Sequence, residues 1–94
     1  MKQRNRLLER AVLGLDLPGE CPPGVPLVEI AGDHRVLIEN HYGITQYGRC
    51  EICVRTKYGF LQIHGTDLEI ARMTKVQLVI TGRIDSVCLC REGR

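Results

Sequence analysis

At ninety-four residues with a formal charge of +2, the chain is one domain that buries only about 60 to 65% of its unfolded surface, which leaves little material for an enclosed catalytic cavity. The charge is too small to mark the whole domain as a nucleic-acid binder. No apolar run approaches the roughly 18 residues that span a bilayer, and the N-terminus lacks the apolar stretch and cleavage site of a signal peptide, so a cytoplasmic location with reduced thiols is expected.

The first ten residues are basic, with Lys2, Arg4, Arg6 and Arg10 against Glu9. Leu7, Leu8, Ala11, Val12 and Leu15 recur at helical spacing, which predicts a short amphipathic helix over residues 3–15. It stops before Pro18, and Pro18-Gly19, Pro22-Pro23-Gly24 and Pro26 make a linker that suits neither a helix nor a central strand. The expected division is therefore residues 1–24, a basic helix with its linker, and residues 25–94, a β-domain.

In that β-domain three segments share an aliphatic-x-Ile-x-Gly pattern: Val28-Glu29-Ile30-Ala31-Gly32, Leu61-Gln62-Ile63-His64-Gly65 and Leu78-Val79-Ile80-Thr81-Gly82. Period-two alternation sets the aliphatic residues on one face of a strand, and the closing glycine admits a turn or bulge. Seven short strands are expected, over 27–31, 35–39, 50–56, 60–64, 68–72, 76–81 and 86–90. Gly32-Asp33, Tyr58-Gly59 and Gly65-Thr66-Asp67 suit tight connections, and Asn40-His41-Tyr42-Gly43 makes a longer corner. The fold class is all-β, an antiparallel sandwich or rolled sheet, with a short β-solenoid as the alternative. Unequal spacing of the three pattern copies favours the antiparallel sheet.

Five cysteines provide the sharpest chemical alternative. Cys50-Glu51-Ile52-Cys53 and Cys88-Leu89-Cys90 could offer four thiolates to zinc, or act as a redox-responsive group. On a straight strand Cys50 would lie with Ile52 and Val54, and Cys53 with Glu51 and Arg55, so the first pair points to opposite faces. Small apolar filler in a reducing compartment is the simpler reading. His34, His41 and His64 stand at turns or strand ends, without a sequence-visible partner for nucleophilic catalysis, and no glycine cluster opens a helix to cradle phosphate. The expectation is a non-enzyme without catalytic residues, bound cofactor or metal. For the basic tail, Lys2, Arg4, Arg6, Leu7, Leu8 and Arg10, docking on the sheet or on an anionic membrane surface is favoured over nucleic-acid binding. Nucleic acid would call for more aromatic and basic residues on the domain.

Leu15-Asp16-Leu17-Pro18, Pro26-Leu27-Val28-Glu29-Ile30-Ala31-Gly32, Leu37-Ile38-Glu39-Asn40-His41-Tyr42-Gly43-Ile44, Gly59-Phe60-Leu61-Gln62-Ile63-His64-Gly65 and Leu78-Val79-Ile80-Thr81-Gly82-Arg83-Ile84 together resemble the YabP/YqfC family of sporulation proteins, most closely its YqfC branch. The resemblance covers nearly the whole chain. It implies a non-enzymatic mother-cell protein of endospore formation, peripheral to a membrane, whose protein partner is a sporulation membrane protein. The Pro22-Pro23-Gly24 linker and the five cysteines depart from the family pattern, which carries no catalytic residues to transfer. Within the Ile-Glu-Asn-His signature, Glu39, Asn40 and His41 are the candidate partner surface, against a plainer reading in which Asn40 and Gly43 shape a corner while Glu39 and His41 face solvent. Exposed strand edges also make homo-oligomers an expected form of assembly.

Overall fold

The computed structural model describes residues 24–91, and within them the chain is all β. Six strands follow in chain order: β1 Leu27–Ala31, β2 Arg35–Glu39, β3 Ile44–Tyr47, β4 Glu51–Thr56, β5 Gly59–Met73 and β6 Gln77–Arg91. They form a single antiparallel sheet in the order β1-β2-β6-β5-β4-β3. A β-solenoid stacks parallel coils, so the antiparallel ladders exclude that alternative. The helix expected over 3–15 and most of the linker lie outside the described residues.

A lone flat sheet has nothing to cover its apolar face, yet Val36, Ile38, Ile52, Val54, Leu61, Ile63, Leu68, Leu78 and Ile80 are all fully buried. The sheet supplies its own second layer by folding over. Val36 and Ile38 of β2 with Leu78 and Ile80 of β6 pack in one cluster with Ile52 and Val54 of β4 and Leu61 and Ile63 of β5. These residues alternate with more exposed ones, as period-two packing requires. The hinge is in the long β5–β6 hairpin. Its register slips between His64 and Gly65, between Thr66 and Glu69, and between Ile70 and Arg72, so bulges bend and coil the two strands together.

The glycines closing the second and third pattern copies lie at this bend. A Cβ on Gly65 would collide with the Arg83 carbonyl, and one on Gly82 would sit 2.5 Å from the Asp67 carbonyl oxygen. Gly82 also has φ +133°, a backbone that side chains strongly disfavour. These two copies thus place two inner-face aliphatics and then the residue that lets the backbones cross closely, whereas in the first copy Ile30 is exposed and Gly32 lies in the β1–β2 turn.

β1 and β2 occupy the expected residues 27–31 and 35–39. The expected pairs 60–64 with 68–72, and 76–81 with 86–90, are instead the continuous strands β5 and β6. Gly65-Thr66-Asp67 is therefore a bulged stretch of strand and not a turn. The turn between the long strands falls at Thr74, whose Oγ accepts hydrogen bonds from the Val76 and Gln77 amides at 3.3 and 2.9 Å. β3, which has no counterpart among the expected strands, pairs irregularly with β4.

Candidate functional site

The corner after β2 starts with Asn40 in the left-handed region at φ +66°, a conformation asparagine tolerates better than most residues. Its amide donates to Val76 O at 2.6 Å, which extends the β2–β6 ladder by one residue, and its side-chain Nδ2 donates to Val25 O at 2.8 Å. Tyr42 N donates to Arg55 O and Arg55 N to Gly43 O, both at 2.8 Å, so the chain crosses from the end of one sheet half to the other. The corner is a clasp between the two layers.

His41 is its centre. The ring is 7% exposed, and the Gly43 amide donates to Nδ1 at 2.9 Å while Nε2 lies 3.0 Å from Thr74 O. Accepting at Nδ1 and donating at Nε2 requires the neutral tautomer with its proton on Nε2. His41 therefore does not face solvent, contrary to the plainer reading of the signature, because a carbonyl distant in sequence and a local amide satisfy both nitrogens. Glu39 is half-buried and accepts from Gln77 Nε2 at 3.3 Å. Tyr42, absent from the expected surface, is 59% exposed. At this corner Tyr42 is the exposed side chain, Glu39 and Asn40 are half-buried, and His41 is buried. His41→Ala would leave the Gly43 amide and Thr74 carbonyl without their partner, and a loss of about 2–3 kcal/mol in urea unfolding is expected.

The outer face of the β4–β5–β6 half is polar and carries the thiols. Gln46, Cys53, Gln62 and Cys88 form one cross-strand row, and Arg55, Phe60 and Cys90 the next. Arg55 stacks over Phe60 at 5.0 Å from the ring centroid. Cys53 falls on the face expected for it, whereas Cys50 is exposed just before β4. Cys90 Sγ lies 3.9 Å from Cys88 Sγ. Burial and the Glu51 carboxylate push the Cys53 thiol up, and partial desolvation with the neighbouring Cys88 thiol does the same at Cys90. These two sulfurs are held toward their protonated, less nucleophilic form. Among the described residues no group of three or more His, Cys, Asp or Glu side chains is arranged to hold a metal ion.

A third row, Glu51, His64 and Ser86, has the order of a hydrolytic triad, with His64 Nε2 3.5 Å from Glu51 Oε2 and Ser86 Oγ 3.4 Å from His64 Nδ1. The contacts are long and the face is open. A cavity of about 100 Å³ lies elsewhere, lined by Pro26, Tyr58, Phe60 and Leu89 among others, well below the roughly 300–1,000 Å³ of a small-molecule site. Glu51, His64 and Ser86 do not line that cavity, and they meet as cross-strand neighbours on an outer face.

The sequence model of the YabP family matches residues 25–94. The chain belongs to the YabP family. Along 86 residues this YabP-family chain is 24% identical to a Bacillus subtilis (strain 168) protein named "Uncharacterized protein YqfC", and the alignment covers 92% of each chain. The corner, the bend and the outer thiols of the YabP-family domain all fall inside the family match. Lys2, Arg4, Arg6, Leu7, Leu8 and Arg10, the candidate tail surface, lie outside the described residues. No helix among the described residues is long and apolar enough to cross a membrane.

Proposed function

We propose that this YabP-family chain is a non-enzymatic sporulation protein, an assembly or adaptor module that works in the mother-cell cytoplasm at a membrane surface, with a sporulation membrane protein as its partner. The family match over residues 25–94 carries this reading. A domain whose core is one sheet folded on itself spends its aliphatic residues on stability and offers polar corners and strand edges for contact. In this reading the rigid corner presents Glu39 and Tyr42 to the partner, and the basic tail at Lys2, Arg4, Arg6, Leu7, Leu8 and Arg10 adds a membrane or partner contact.

Heat-resistant spore yield in the native host tests the proposal, comparing the intact gene, a deletion, and the deletion complemented by a version lacking residues 2–14. Deletion is expected to abolish heat resistance, and the shortened version is expected not to restore it. Unchanged yield, with no redundant copy, would remove the sporulation role. A cysteine-based metal or redox module is the second reading, favoured by the 3.9 Å approach of Cys88 and Cys90 on an open face. Near-stoichiometric zinc with protected thiols in the purified protein would select it.

A further inference from the structure

Among the described residues, β6 carries an open edge over its last residues. Gly65 N donates to Cys50 O on the β4 side, so odd-numbered residues at this end of β5 point their amides toward β4, and Phe60, Gln62 and His64 point theirs toward β6. Their register partners Cys90, Cys88 and Ser86 point back at β5. The backbone groups of Val87, Leu89 and Arg91 therefore aim the other way. β2 pairs only with residues 77–81 of β6, and a single bond from Ile84 N to Asp33 O continues that side. Beyond it no described strand pairs with this edge. It also exposes an inner-face leucine, since Leu89 is 76% accessible.

We infer that residues 85–91 of β6 pair antiparallel with the same residues of a second copy about Cys88, making a homodimer with one continuous sheet. The sequence of the edge is complementary to itself about that residue. Val87 and Leu89 of one copy meet Leu89 and Val87 of the other, using the outward backbone groups and joining two apolar stripes. Exposed Asp85 falls opposite exposed Arg91 in both halves of the pair, so the charges match twice. Arg91 already stacks on Tyr58 at 5.6 Å, which holds its side chain at the edge. Cys88 meets its own copy as a non-hydrogen-bonded pair, where side chains are closest. The other two edges fit less well. β1 paired about its middle would set Glu29 against Glu29, and β3 has only four residues and an irregular register.

Sedimentation of the full chain under reducing conditions tests the pairing. A concentration-dependent dimer is expected. Leu89→Lys should weaken it by about tenfold or more, while leaving the melting curve unchanged at concentrations where both proteins are monomeric, because the side chain is exposed in the monomer. Asp85→Arg and Arg91→Asp should each weaken it, and the double swap should restore it. A variant retaining Cys88 as its sole cysteine should cross-link on mild oxidation, and one retaining only Cys50 should not. A monomeric wild-type chain, whether its own N-terminal residues or another protein covers the edge, would overturn the inference. So would a dimer indifferent to all of these changes.

Discussion

Gly65→Ala is expected to cost about 4 kcal/mol or more, most of what a domain this small has to lose. The added methyl would land on the Arg83 carbonyl oxygen and 3.1 Å from Leu68 Cδ2. A flexible side-chain tip can withdraw, but a carbonyl in a paired strand cannot. Separating the strands at that point would undo the close crossing on which the fold-over depends, so the penalty reaches the core as a whole. Gly48→Ala is the control, because its added methyl would meet only the Glu51 carbonyl oxygen at 3.4 Å, and its stability should remain within about 0.5 kcal/mol of wild type. Urea unfolding of both variants decides the matter. A Gly65→Ala protein that unfolds within about 1 kcal/mol of wild type would mean that the bend tolerates a Cβ, and the account of its geometry would be wrong.

The alternation that marked β1 and β2 was readable because each is bounded by residues that end a strand: Pro26 before, Gly32-Asp33 between, Asn40 after. The long hairpin was harder for a physical reason. Gly65-Thr66-Asp67 and Gly82-Arg83 carry the chemistry of a turn, and the same chemistry serves a bulge, since both need a residue free of Cβ constraints. Only the ladder on either side separates the two, and pairing partners are not local. The actual turn at Thr74 has no glycine and works through a hydroxyl. β3 carries little signal in the sequence because Ile44-Thr45-Gln46-Tyr47 buries no residue fully and shows no sustained alternation.

The candidate site was legible as a location and not as a mechanism. Asn40 and Gly43 identify a corner by their turn chemistry, and both have positive φ. His41 reads as a polar residue in a loop, and its burial follows from Thr74 O, which only the β5–β6 turn brings near. The thiols behave similarly. Strand parity predicts that Cys53 shares a face with Glu51, but its place in a row with Gln62 and Cys88 depends on two inter-strand registers. Local sequence sets which way a side chain points, and topology sets what it meets.

Leu68→Ala is expected to cost about 4–5 kcal/mol, toward the upper part of the range for leucine truncation in a core. Leu68 is fully buried although its neighbours Asp67 and Glu69 are exposed. It lies in the bulge opposite Gly82, directed into the hinge between the sheet halves, in the same cluster as residues from both. The size of the loss depends on whether the site can collapse once the side chain is gone. Here collapse is resisted from three sides. Asp67 is held at φ +51°, the Leu68 amide donates to Arg49 O at 2.9 Å, and Gly82 already brings its backbone against Leu68 Cα. The backbone has no slack with which to close the void. Leu89→Ala removes the same atoms from a side chain 76% exposed and should change monomer stability by less than about 0.5 kcal/mol. Hydrogen exchange provides a further readout. Because both halves share the cluster that Leu68 joins, protection at Val36 and Ile38 should fall together with that at Ile52 and Val54. Loss confined to one half would mean that the halves are separately stable, and that Leu68 anchors only its own strand.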